Sequence, residues 1–173
     1  HAPYRFDETG KLSAGPTPNF KQIANGLPGL ETRLPLMFDA LVSKGRPEFA
    51  GRGLEAFVDL TATAPAKIYN LPGKGAIQPG YDADIAIWDP TREVTITDEA
   101  MHDLTGFTPF AGYRVTGWPE TVIRRGEVVV SDGTLHAKPG SGRWLSRTGG
   151  PAAEPTGKLV LEMDPERNFG ATI

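Results

Sequence analysis

The hydrophobic period of this chain changes once, at Leu71-Pro72-Gly73, and that change limits the folds open to it. Before it, apolar residues recur at helical spacing: Leu34, Met37, Phe38, Leu41 and Val42, then Phe57, Val58 and Leu60. After it, they alternate: Ile85 and Ile87, Val94 and Ile96, Val128 and Val130. A helical half followed by short antiparallel strands is therefore expected, with a domain boundary near residue 73. Glycine and proline number 21 and 16 of the 173 residues, which suits a chain with many turns.

The spacing predicts a helix over 31–43, with Pro35 in its first turn, where a missing N–H is harmless, and Lys44-Gly45 as its end. A second helix starts near Leu54, and Thr63-Ala64-Pro65-Ala66 restarts a short one that Asn70 to Gly73 terminates. Strands are expected at 84–88, 93–96, 113–116, 121–123, 127–130 and 134–137, with Asp89-Pro90 stopping the first. Arg124-Arg125-Gly126 and Ser131-Asp132-Gly133 read as hairpin turns. Residues 1–30 place turn formers every few positions and read as one long loop. Loops of that length in compact domains usually carry function. The segment 148–157 reads as a linker, and 158–161 as an apolar arm that packs on something or frays.

Composition excludes several classes of function. The formal charge of −3 gives no footprint for nucleic acid or an anionic membrane surface. Cysteine is absent, which removes disulfide scaffolds and cysteine-based zinc sites. No apolar run approaches the ~18 residues of a membrane span. The first residue is His1, which reads as a processed terminus or as part of a longer polypeptide.

On residue types alone no self-sufficient catalytic set emerges. His1, His102 and His136 are far apart and form no pair on one helix face. His136 reads as a structural strand residue and His102 as a loop or helix-surface residue. Asp82, Asp84 and Asp89 flank the 84–88 strand and could offer a glycosidase acid pair between them, but acids at strand ends are normally turn residues. Gly51-Arg52-Gly53-Leu54-Glu55-Ala56 fits a dinucleotide pattern without the strand that should precede it, and reads as a glycine turn into a helix. Arg124-Arg125 reads as a solvated hairpin tip.

Several segments together resemble the C-terminal portion of the hydantoinase and dihydropyrimidinase group of the amidohydrolase superfamily. They are His1-Ala2-Pro3-Tyr4, similar to the residues just after the metal-binding aspartate in that group, and Ile23-Ala24-Asn25-Gly26-Leu27-Pro28-Gly29-Leu30-Glu31-Thr32-Arg33. Ala64-Pro65-Ala66-Lys67, the stretch from Lys74 to Ile85, Arg125-Gly126-Glu127-Val128-Val129 and Arg167-Asn168-Phe169-Gly170-Ala171 extend the likeness along nearly the whole chain. The chain departs from the group at Ala24, where proline is common, and at Gly106-Phe107-Thr108-Pro109-Phe110.

The resemblance implies an α/β fold: the end of a (β/α)8 TIM-type barrel, its last loop and helices at 1–73, then β-sandwich strands at 74–147, and a linker with a C-terminal arm at 148–173. It implies zinc-dependent ring opening of a cyclic amide, a hydantoin or dihydropyrimidine, to the N-carbamoyl amino acid. Two zinc ions bridged by a carboxylated lysine would polarise the amide carbonyl and lower the pKa of a bridging water. An aspartate would serve as general base and then acid. That aspartate would precede His1, so no catalytic residue and no metal ligand falls in this chain, with His1 adjacent to the site. Asn25 and Gly26 would bind the substrate, Asn25 through its backbone.

The implied setting is a cytoplasmic homo-oligomer, tetramer or dimer, completed by the N-terminal remainder of the polypeptide, with neither nucleic acid nor membrane as partner. The related readings are an allantoinase-type hydrolase, against which the Asn25-Gly26-Leu27-Pro28-Gly29 turn argues, and a non-catalytic scaffold of the same fold. Helices at 31–70 with no sheet to cover their barrel side would not let the chain fold as an independent unit.

Overall fold

A computed structural model describes residues 2–151 together with Glu154, Gly157, Asp164 and Glu166. His1, the 158–161 arm and the 167–171 end lie outside the described residues, and so do the expectations attached to them. Residues 2–29 carry turns and bends with neither helix nor strand.

The helical half follows its apolar repeat. Helix α1, Leu30–Phe38, runs directly into a π-helical turn, Asp39–Ser43, and ends at Lys44 with Gly45 in the left-handed region at φ +62°. One expectation is corrected here. Because the helix starts at Leu30, capped by Gly29 without a side-chain bond, Pro35 is its sixth residue and lies in the second turn. The proline therefore removes a hydrogen bond to the Glu31 carbonyl, and the helix accommodates this with the ring fully buried.

A 3-10 turn, Pro47–Phe49, leads to α2, Gly53–Val58, which passes through a second π turn, Asp59–Thr63, into α3, Ala64–Ile68. A Cβ on Gly53 would sit 2.0 Å from the Leu41 carbonyl oxygen. That glycine is there so that α2 can cross the end of the first helix closely, and the dinucleotide-like pattern has this packing cause.

The strand half forms one antiparallel sheet in the order β1-β2-β3-β4: Ile85–Thr95, Arg114–Arg124, Glu127–Ser131 and Thr134–Leu135. Both hairpin turns form as the sequence suggests. Arg125 and Gly126, then Asp132 and Gly133, take positive φ in two-residue turns that match the twist of the flanking strands.

The expected breaks do not form. Asp89-Pro90 does not end a strand; residues 90–92 bulge out of β1, and both flanks pair with β2. Asp89 does take the Thr91 N–H at 2.8 Å in a local turn, so the turn signal was real. The ladder to β2 carries the strand past it. The segments at 113–116 and 121–123 likewise merge into β2, irregular where Trp88 faces Pro119. His136 lies just past β4, its N–H on the Val129 carbonyl and its Nε2 2.8 Å from Ser131 Oγ.

Helices and sheet share one core. Phe38, Leu41 and Phe57 are buried, and Leu34, Met37, Val42, Phe49 and Trp88 pack on them. Each such side chain contributes about 1.5–3 kcal/mol when fully buried. A polar tie crosses the same contact: the buried Asp39 carboxylate accepts the Thr116 N–H at 3.0 Å and pairs with Lys44 at 2.5 Å. Ser43 Oγ donates to the Thr116 carbonyl at 2.7 Å. Away from this core Leu30, Leu54, Val58, Leu60 and Ile68 are exposed.

Candidate functional site

The Asn25-Gly26 turn is built by the loop that surrounds it. Gly26 has φ +109°, and a Cβ there would meet the Ala2 Cβ at 2.3 Å. Only glycine permits both the backbone conformation and that crossing. The Ala2 N–H donates to the Leu27 carbonyl at 3.2 Å, holding the second residue of the chain across the turn. Asn25 itself is exposed, and no hydrogen bond joins its backbone to another described residue.

Lys11 fixes the turn from beneath. It is 6% exposed, and its ammonium donates to the carbonyls of Ala24 and Gly26, both at 2.7 Å. The same Nζ lies 5.9 Å from the ring centres of Tyr4 and Phe107, near the limit for a cation–π contact.

Lys11 is held in turn by the folding of residues 5–11. Its N–H bonds the Arg5 carbonyl at 2.9 Å, and Gly10 leaves room for that carbonyl, which a Cβ would approach to 2.2 Å. Hydrogen bonds from the Thr9 side chain and then from Arg5 hold the Asp7 carboxyl below its ordinary pKa. The segment between β1 and β2 closes over the loop. Phe6 donates its N–H to the Thr105 carbonyl at 3.0 Å and packs its ring 5.3 Å from that of Phe107. Thr105 is 3% exposed and bonds Asp103.

The other residues singled out in the sequence are not brought together. His102 is exposed, with Nδ1 2.7 Å from Glu31 Oε1, and pins the 101–108 segment to the start of α1. Asp82 and Asp84 both pair with Lys74, and Asp84 also accepts the Arg125 N–H at 2.8 Å. Burial pushes the Asp84 carboxyl up, but the Lys74 and Arg125 hydrogen bonds outweigh it and leave the pKa lowered. Bonds to Asp82 and then Asp84 raise that of Lys74. These carboxylates anchor the strand hairpin. Arg124 and Arg125 are not a solvated tip: their guanidinium groups hold Ser141, through Oγ at 2.7 Å and the carbonyl at 2.8 Å.

Residues 50–130 match the amidohydrolase family. The chain is 41% identical to a D-hydantoinase from Ralstonia pickettii over 75% of its own length and 27% of that protein's. It is also 41% identical to a D-hydantoinase from Geobacillus stearothermophilus over 82% and 29%. Its structure overlays a dihydropyrimidinase from Brevibacillus agri with a TM-score of 0.75 at 35% identity, covering 90% of this chain and 32% of that one. Over most of its length the chain is similar to hydantoinase-type amidohydrolases. It spans less than a third of the length of these relatives.

The turn presents a peptide unit and no bond-making side chain. A peptide unit presented to solvent has one N–H and one carbonyl, which complement the carbonyl and N–H of a cyclic amide or imide. Among the described residues no group of three or more His, Asp or Glu is arranged to hold a metal ion. The described residues by themselves thus supply no ligand set for a zinc pair. Also among the described residues, no helix is long and apolar enough to cross a membrane.

Sequence reasoning missed Lys11. Nothing in its spacing sets it apart from the other lysines and arginines; only burial under the turn does.

Proposed function

We propose that the complete protein hydrolyses a cyclic amide, and that this chain supplies the loop that receives the ring. Water would add across the ring C–N bond of a hydantoin or dihydropyrimidine, hydroxyl to the carbonyl carbon and proton to the leaving nitrogen. The product is the N-carbamoyl amino acid. The observation that carries this is the Asn25-Gly26 turn, which is rigidly held from below yet exposed above. Its N–H and carbonyl suit the ring's amide edge, at about 1 kcal/mol per neutral hydrogen bond. The relatives' names, D-hydantoinase and dihydropyrimidinase, supply the reaction class.

Within this reading, residues 1–73 are the last loop and helices of a (β/α)8 barrel, 74–147 are β-sandwich strands, and 148–173 are a linker and arm. The exposed Leu54, Val58 and Leu60 then face the remainder of the barrel. Asn25 and Gly26 bind the substrate, and His1 lies adjacent to the metals. Two zinc ions bridged by a carboxylated lysine, together with the aspartate, belong to protein outside this chain. A cytoplasmic homotetramer or dimer completes the proposal.

The test uses the full-length protein. Purified with its metal, it should convert hydantoin or dihydrouracil to the N-carbamoyl product, resolved by chromatography. Chelation should abolish turnover and added zinc should restore it. A metal-loaded protein that opens neither ring sinks the proposal.

A further inference from the structure

Lys11 is a costly way to staple a loop. Burying an ammonium costs several kcal/mol before its partners are counted, and a neutral donor could tie two carbonyls for less. Its carbonyl partners flank Asn25 symmetrically, one residue before and one after. Arg5, Asp7 and Gly10 arrange the backbone so that the ammonium arrives there, and Tyr4 and Phe107 enclose it.

What the charge adds is polarisation. The Ala24 carbonyl and the Asn25 N–H are the two ends of one conjugated peptide unit. A cation on the carbonyl oxygen withdraws electron density through that unit and makes the N–H a stronger donor, the more so where the surroundings are of low dielectric. The bond to Gly26 meanwhile fixes the far side of the turn, so the donor is aimed as well as strengthened.

We propose that Lys11 is a positioning residue for ring binding, which sets both the place and the donor strength of the Asn25 N–H. This rests on the cyclic-amide reading above. It assigns a role to a side chain that touches no substrate, so its loss should appear in substrate binding and in the mobility of the turn, with chemistry little affected.

The experiment compares the full-length enzyme with Lys11→Met, which keeps the apolar stem between the two rings and removes the ammonium. Lys21→Met, at an exposed lysine beside Phe20, serves as control. Lys11→Met should raise KM for dihydrouracil or hydantoin by about 10- to 100-fold, with kcat changed less than about threefold. Amide hydrogen exchange at residues 24–27 should quicken in the same variant and stay unchanged in Lys21→Met. If Lys11→Met yields no soluble protein, Lys11→Gln, which keeps neutral N–H donors on a shorter stem, is read in the same way. Wild-type KM and wild-type exchange in the Lys11 variant overturn the proposal. If the wild-type protein opens neither ring, the activity reading has failed, and exchange at 24–27 still decides whether Lys11 holds the turn.

Discussion

Phe38 lies flat against Trp88, their ring centres 4.6 Å apart and their planes within 4° of parallel. Phe57 meets both rings edge-on at 5.3 Å. Three aromatic side chains from α1, α2 and β1 therefore make one contact between helices and sheet. Such pairs add about 0.5–1.5 kcal/mol each beyond the area they bury. The loop of residues 2–29 joins α1 at its other end, Leu30, so this contact helps fix the platform to which that loop is attached.

Gly117 on β2 lets Phe38 reach that position. Its φ is +98°, and a Cβ would stand 2.1 Å from Phe38 Cδ1. Gly117→Ala should therefore destabilise the full-length protein by about 2–4 kcal/mol, from left-handed strain plus displacement of the ring. Denaturant unfolding measures it, and a loss under about 1 kcal/mol would contradict the packing described.

The Asp39 tie makes an asymmetric prediction. Asp39→Ala leaves the Thr116 N–H without its acceptor and should cost about 2–4 kcal/mol. Lys44→Met removes only the exposed half of the ion pair and should cost at most about 1 kcal/mol. Equal losses in the two variants would show that the charge pair, rather than the backbone bond, holds helix to sheet.

Gly26→Ala tests the turn independently of Lys11. Left-handed strain of about 1–2 kcal/mol, together with the collision against Ala2, should shift the turn and raise KM about tenfold or more. The unfolding free energy should fall by about that strain and no more. An unchanged KM would remove this turn from the binding site.

The Lys74 cluster gives a pH dependence of defined sign. Asp84 has a lowered pKa, so its contribution is present above the ordinary carboxylate value of 3.8 and is lost as pH falls through the folded value. Lys74 has a raised pKa, so its contribution is full below 10.5 and is lost as pH rises through its folded value. The gap in melting temperature between wild type and Asp84→Asn should hold steady between about pH 5 and 9 and narrow below about pH 4. A gap as wide in strong acid as at neutral pH would exclude this role for the pair.

What the sequence determined by itself was local. The change of period near residue 73, the turns at Arg125-Gly126 and Asp132-Gly133 and the helix end at Gly45 all follow from neighbours a few residues apart, whereas the expected restart at Pro65 is a continuous helical run from Gly53 to Ile68. Asn25 and Gly26 became candidates through a resemblance of sequence, with no local physical signal to mark them. The tertiary structure decided the rest. A strand passes through the Asp89-Pro90 signal because β2 pairs with both sides of the bulge. A buried carboxylate finds its N–H partner 77 positions away, from Asp39 to Thr116. Lys11 becomes a clamp only when Ala24 and Gly26 fold over it. Hydrogen-bond ladders and burial depend on residues distant along the chain, whereas spacing and turn chemistry report only on those nearby.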